Sequence, residues 1–233
     1  MEEVSCCPVC GGEGTFDIAG YDPDIGVTIR MYSCTRCKTV YHNPRMTSSE
    51  MQEYYSSGKY REPDCRHIKQ DAAERRLRAT IGLVDAFTRV VPKRCLDVGC
   101  SRGYLSRMMQ NRYGCEVVGY DIYKDPEAVI DVVDSKDKVT GKFDVITCIH
   151  VLEHLYDPMD DLTWMAGMLS ENGMLMIEIP LARVVTTPHP IIYSREAVPY
   201  MMKHIGAEYI FMDMQLIHLG HIMAWKKVES DAN

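Results

Sequence analysis

Eight residues, Leu96-Asp97-Val98-Gly99-Cys100-Ser101-Arg102-Gly103, read as a buried strand that turns on glycine and runs straight into a helix. A turn of this kind belongs to an open sheet of parallel strands joined by crossovers. In such sheets the crevice at the carboxyl ends of the strands is where ligands bind. Gly99 and Gly103 let the main chain approach a ligand closely. The G-x-G-x-x-G spacing of a dinucleotide fold is absent, and the carboxylate of Asp97 would repel a diphosphate. A cationic ligand carrying an ammonium and a sulfonium would be welcome there.

The following strand ends Val118-Gly119-Tyr120-Asp121, which places an acid where it can accept both hydroxyls of a ribose. Acidic loop, glycines and strand-end acid together describe a site for S-adenosylmethionine. The surrounding pattern agrees. From Lys93 onward short apolar runs alternate with helical stretches, with strands expected at Arg94–Val98, Glu116–Tyr120, Val129–Val133, Asp144–Ile149 and Met174–Ile179. A last pair is expected near Ala207–Met214 and Leu216–Lys226. Helices are expected near Tyr104–Arg112, Pro158–Leu169 and Arg195–His204; Asp157 caps the second and Asn172-Gly173 stops it.

The N-terminal segment obeys a different rule. Cys7-Pro8-Val9-Cys10 and Cys34-Thr35-Arg36-Cys37 are two Cys-x-x-Cys pairs, and each can aim two thiolates at one point. Two such turns complete a tetrahedron around Zn²⁺. Disulfides are disfavoured without a secretory signal, and the N-terminus Met1-Glu2-Glu3-Val4 is acidic where a signal peptide is basic. Cys6 is a bystander to Cys7. Residues 1–46 therefore read as a zinc ribbon, with Cys7, Cys10, Cys34 and Cys37 as ligands of a structural ion. Too few apolar residues lie there for a core, so metal must supply folding free energy. Residues 47–90 read as a helical linker or cap: Thr47-Ser48-Ser49-Glu50 starts a short helix, and a longer one spans about Asp64 to Val90. Its Arg66, Lys69, Arg75, Arg76 and Arg78 are an ordinary solvated face. Residues 91–228 form the main domain and 229–233 a polar tail.

On these residues the chain resembles the class I S-adenosylmethionine-dependent methyltransferases, of a subgroup that carries a zinc ribbon and methylates small molecules. Leu96–Gly103 matches the family's first motif, with Ser101 in place of a usual glycine. Phe143-Asp144-Val145-Ile146 with Val151-Leu152-Glu153-His154-Leu155 matches the fourth-strand motif, and Leu169–Pro180 the fifth. The resemblance implies an α/β, Rossmann-like seven-stranded sheet of order 3-2-1-4-5-7-6, its seventh strand antiparallel, with helices on both faces. It implies that Asp97, Gly99, Cys100 and Gly103 hold the methionine end of S-adenosylmethionine, that Asp121 binds the ribose and that Ile122 lies beside the adenine. His150 lies on the cofactor rim, and Asp131 or Asp134 meets the adenine amino group.

Three readings of His150, Glu153 and His154 stay open. Glu153 and His154 brace the fourth-strand loop and the cofactor; His150 or His154 is a general base, since imidazole titrates near neutrality; or the three bind a divalent metal. The third follows from ubiquinone-pathway and small-RNA methyltransferases that carry Glu-x-x-Glu-His here, although His150 replaces the first Glu. His189 is a further base candidate, Tyr193 a candidate for lining the acceptor pocket, and His218 and His221 ordinary structural residues. The expected partner is a small-molecule acceptor such as a sugar, a sugar nucleotide or another metabolite. An RNA acceptor is the alternative. It is opposed by the excess of 33 acidic over 26 basic side chains, a formal charge of −7. No apolar stretch is long enough for a membrane span, and the expected location is cytoplasmic.

Overall fold

The computed structural model describes residues 1–22, 27–57, 70–181, 189–214 and 219–226. The expected helix start at 64–69, with Arg66 and Lys69, lies outside the described residues, as do His218 and the tail 229–233.

In chain order the elements are β1 (Gly14–Asp22), β2 (Val27–Cys34), β3 (Val40–His42), α1 (Ser48–Ser56), α2 (Gln70–Phe87), β4 (Arg94–Val98), α3 (Tyr104–Tyr113) and β5 (Glu116–Tyr120). There follow β6 (Val132–Val133), β7 (Phe143–Ile149), α4 (Pro158–Met168), β8 (Leu169–Pro180), β9 (Ile191–Ile192), α5 (Val198–His204), β10 (Ala207–Met214) and β11 (Leu219–Lys226). Seven strands form one sheet in the order β10-β11-β8-β7-β4-β5-β6. That is the expected α/β order 3-2-1-4-5-7-6 read from its other edge. Pairs β4/β5, β4/β7 and β5/β6 are parallel and β10/β11 is antiparallel. At the carboxyl ends of β4 and β7, Val98 and Cys148 stand side by side.

The chain divides into two compact units. One contains Gln52–Cys148 and Met168–Met176. Here β4 and β7 bury Cys95, Leu96, Val98, Phe143, Val145, Ile146 and Cys148, as strands covered on both sides must. α3 turns Leu105, Ser106 and Met109 inward, and α2 buries Ile81 and Val84 at helical spacing. α2 ends at Phe87 rather than Val90; beyond it the Thr88 hydroxyl donates to the Val90 carbonyl at 2.9 Å. The third strand of the sheet is shorter than expected. The Val129 amide is drawn to the Arg102 carbonyl at 2.8 Å, and only Val132 and Val133 join the ladder. β8 is longer than expected: Asn172-Gly173 lies inside it instead of ending the helix. A Cβ on Gly173 would sit 2.7 Å from the Phe143 carbonyl oxygen, so this glycine serves a close main-chain approach.

The other unit contains Met1–Met51, Ile149–Gly167 and Ile177–Lys227. β1, β2 and β3 form an antiparallel meander, and β3 pairs in turn with β9, Val40 opposite Ile192 and Tyr41 opposite Ile191. Ile29, Met31, Val40 and Ile192 make a small core, so the ribbon completes its apolar cluster with a residue far along the chain. The Thr47 hydroxyl accepts from the Glu50 amide at 3.3 Å while the Glu50 carboxylate accepts from the Thr47 amide at 2.8 Å, the reciprocal cap that starts α1. Asp157 caps α4 through the Asp160 amide at 3.3 Å.

Candidate active site

The loop after β4 carries three residues with left-handed backbones: Gly99 (φ 69°), Ser101 (φ 55°) and Gly103 (φ 78°). Ser101 occupies the usual glycine position and adopts the glycine-like conformation, at a cost of roughly 1–2 kcal/mol. A charge-assisted hydrogen bond offsets this, since its amide donates to Asp121 Oδ2 at 2.8 Å. Asp121 Oδ1 accepts from the Tyr123 amide at 2.9 Å, and the Gly99 and Cys100 amides both donate to the Tyr120 carbonyl. The two strand-end loops are thus stitched together through Tyr120 and the buried Asp121. Ile122 is exposed beside them, and Cys100 is buried.

Asp97 sits within β4 rather than at its mouth, and it is buried. Its two oxygens accept from the Ser106 hydroxyl at 2.6 Å and the Thr147 hydroxyl at 2.8 Å. Burial pushes its carboxyl up to about 6, against the hydrogen bonds that favour the ion. The space over Gly103 is taken by Ile130, whose Cγ1 lies 2.2 Å from where a Cβ would be; Gly119 meets Ile130 Cδ1 in the same way at 2.3 Å. Of the adenine candidates, exposed Asp131 pairs with Lys124 at 3.0 Å and Asp134, next to the end of β6, pairs with Lys138 at 2.6 Å.

In the other unit the segment after β7 gathers ionisable side chains. His150 is held at φ 52°, a strained region for a non-glycine residue. Its Nδ1 lies 3.2 Å from Glu153 Oε1 and its Nε2 2.8 Å from Glu178 Oε1. His154 Nε2 is 3.9 Å from the same Glu153 oxygen. The His154 and His189 rings are 4.7 Å apart, and donor atoms of Glu153, His154 and His189 all lie within 4.8 Å of one another. Burial lowers the His189 pKa, with the His154 charge adding to this and Glu153 opposing it, so His189 is a neutral imidazole at neutral pH. Tyr193 is buried, and its hydroxyl donates to the Leu152 carbonyl at 3.0 Å, so it braces the turn Leu152–His154 instead of facing an open pocket. Glu178 and His221, neither of them an expected site residue, join this group: His221 Nε2 is 2.7 Å from Glu178 Oε2. A glutamate inside the apolar run of β8 was the signal available for it.

The four expected cysteines converge. Cys7 and Cys37 sulfurs are 3.6 Å apart, Cys10 and Cys34 sulfurs 3.5 Å, and all four lie within 4.8 Å of one another. None is in a disulfide, and exposed Cys6 stands outside the group. Zn–S bonds of about 2.3 Å set tetrahedral S···S edges of about 3.8 Å, close to these spacings. The two turns repeat one pattern. Gly11 and Lys38 donate their amides to the Cys7 and Cys34 carbonyls, and the Cys7 and Cys34 amides donate to the Gly12 and Thr39 carbonyls. Gly11 (φ 65°) and Lys38 (φ 59°) are both left-handed. The hydrogen bond from Cys7 lowers Cys37 to about 5 and drives Cys7 upward, and burial pushes Cys10 up to about 11. Four thiolates this close together would repel one another without a cation between them.

Residues 66–223 match the family described as a methyltransferase domain. The ubiquinone biosynthesis O-methyltransferase of Dechloromonas aromatica is 28% identical over 146 residues, an alignment covering 56% of this chain and 57% of the relative. The chain thus aligns with little more than half the length of that relative. Among solved structures, the Burkholderia thailandensis 1,6-didemethyltoxoflavin-N1-methyltransferase, with 1,6-didemethyltoxoflavin and S-adenosylhomocysteine bound, is similar at a TM-score of 0.61 and 15% identity, covering 91% of this chain and all 100% of that one. Magnesium protoporphyrin IX methyltransferase from Synechocystis, with S-adenosylhomocysteine bound, gives 0.57 and 15%, covering 76% and 97%. At these identities the likeness establishes the fold.

Proposed function

This chain belongs to the methyltransferase-domain family, and from that premise we propose that it methylates a hydroxyl of a small-molecule acceptor with S-adenosylmethionine. S-adenosylmethionine, when bound, supplies a methyl group already activated on a positive sulfur. The protein's task is therefore to hold, align and take a proton. Gly99, Cys100 and Gly103 hold the methionine end, with Asp97 as buried negative charge beneath, Asp121 takes the ribose, Ile122 flanks the adenine, and Asp134 meets its amino group. The fit rests on the left-handed main chain of Ser101 and its tie to Asp121. Cys7, Cys10, Cys34 and Cys37 hold a structural zinc ion. Four thiolates leave it no open position, so it contributes folding free energy and no chemistry.

The observation that carries the reaction is the His154–His189 pair beside buried Glu153. A neutral His189 can accept a hydroxyl proton, and Glu153 steadies the resulting charge through His154. His150, with a carboxylate at each ring nitrogen, is a brace rather than the base. Small-molecule acceptors are favoured over RNA by the formal charge of −7 and because three of the ribbon's cations already have local partners: Arg36 donates to the Cys10 carbonyl, Lys38 to that of Thr35, and Arg45 pairs with Glu2. His154→Ala and His189→Ala should each lower turnover by about 10²–10⁴-fold toward the acceptor found in a panel of phenols, sugars and amines, with cofactor affinity kept. Unchanged turnover in both variants removes the base. The convergence of Glu153, His154 and His189 favours a second reading, a transition-metal site of one carboxylate and two imidazoles. Activity that returns to a chelated enzyme only with an added divalent ion, beyond the ribbon's zinc, would select it.

A further inference from the structure

Two side chains that play no direct part in this reaction sit behind the loop that does. We infer that Glu178 and His221 are positioning residues that fix the His150–His154 segment in its working shape, an inference that rests on the reading of His154 and His189 as the proton acceptors. Glu178 meets His150 at two points: its main-chain carbonyl accepts the His150 amide at 3.0 Å, and its Oε1 lies 2.8 Å from His150 Nε2, a charge contact at an angle that makes no hydrogen bond. A residue at φ 52° keeps that conformation only when its surroundings impose it; the main-chain bond to Glu178, with the carboxylate beside the ring, does so. His221 Nε2, on the far side at 2.7 Å, fixes the other Glu178 oxygen and so the plane of the carboxylate. From His150 the line continues through Nδ1 to Glu153 at 3.2 Å and from Glu153 to His154 at 3.9 Å.

Burial makes the line directional. Glu153, Glu178 and His221 are 1%, 2% and 4% exposed, whereas the side chains of His150 and His154 are 27% and 25% exposed. Buried carboxylates are tolerated only in good geometry with polar partners, so each member restricts the next, from β11 through β8 to the loop. Nδ1 of His221 is buried with no hydrogen-bond partner among the described residues. That is the tolerable state for a bare acceptor and a poor one for an N–H, so the proton belongs on Nε2, where it is donated to Glu178.

The test uses the full-length zinc-loaded protein and three variants. Glu178→Gln keeps shape and removes charge; His221→Leu removes the donor; His221→Gln restores an N–H near the Nε2 position. The first two should lower kcat by about 10- to 100-fold, the scale of a small misplacement of a catalytic group. The S-adenosylmethionine Kd should stay within about twofold and His221→Gln within about threefold of wild type. Ring ¹⁵N spectra, independent of turnover, should show the His150 and His154 signals moved in Glu178→Gln. Unmoved ring signals overturn the inference, as does a His221→Gln variant as impaired as His221→Leu, which would mean that only packing mattered. His154→Ala and His189→Ala run alongside: normal turnover in both, with ring signals still moved by Glu178→Gln, would sink the base reading and leave the positioning role standing.

Discussion

The hydroxyl of Ser194 donates to the main-chain carbonyl of Cys37, one of the four converging cysteines. Ser194 also caps the turn at Arg195–Ala197, and the His42 amide donates to the Pro190 carbonyl at 2.9 Å. The residues that follow His189 are therefore fastened to the cysteine cluster and the strand just after it. With the proposed zinc in this cluster, stripping it should remove the folding free energy of the ribbon and loosen this fastening. Hydrogen exchange should then speed up at 40–42 and 189–194 together, while amides of β4 and β5 keep their protection. Fast exchange at 40–42 alone would show that the ribbon and the His189 segment are independent.

Asp121 makes a second clear case. Its carboxylate accepts the Ser101 and Tyr123 amides at 2.8 and 2.9 Å, and in the proposed function it also receives the ribose. Asp121→Ala should weaken S-adenosylmethionine binding by roughly 1.5–3 kcal/mol, the scale of lost charge-assisted hydrogen bonds. Calorimetry returning the wild-type Kd would contradict the assignment.

Where local chemistry decides the backbone, the sequence was readable. The Thr47/Glu50 cap, the Asp157 cap and the ends of β4 and β5 stand where residue type alone puts them. The four cysteines were readable for the same reason, since their turns are local. Gly173 was misread because its reason is a carbonyl 2.7 Å away on another strand. The partners of His221 and Tyr193 could not be read, because Glu178 and Leu152 are 43 and 41 residues distant. Such pairings are set by strand order, which short-range patterns do not encode.

Asp97 links the site to stability. Its carboxyl ordinarily titrates near 3.8, and burial raises it to about 6. The folded state therefore holds this proton more tightly than the unfolded chain. Stability falls as pH rises between these two values and is level above, by at most about 3 kcal/mol. Asp97→Asn, which never ionises, should lose that fall. Without cofactor it should be more stable than wild type at pH 8 by about 1–2 kcal/mol, after allowing for one hydroxyl left with a poorer acceptor. Denaturant unfolding of both proteins at pH 4, 6 and 8 measures the difference, and a less stable Asp97→Asn at pH 8 would refute the burial argument.

Ile130 gives a sharp packing test, because its Cδ1 makes the closest collision at Gly119, ahead of Cys100 Sγ at 2.9 Å. A Cβ at Gly119 would lie 2.3 Å from Ile130 Cδ1, whereas at Gly103 it would lie 2.2 Å from Cγ1 at a φ of 78°. Gly119→Ala should cost about 1–3 kcal/mol through overpacking. Ile130→Val deletes Cδ1 and alone should cost about 0.5–1.5 kcal/mol. The two changes relieve one another, so the double variant should be more stable than the sum predicts by about 1 kcal/mol or more. Gly103→Ala should gain little from Ile130→Val, because valine keeps a γ carbon at the point of collision and the backbone strain stays. Urea unfolding of the two cycles decides it: strict additivity in the Gly119 cycle would mean that Ile130 Cδ1 swings clear and Cys100 sets the cost.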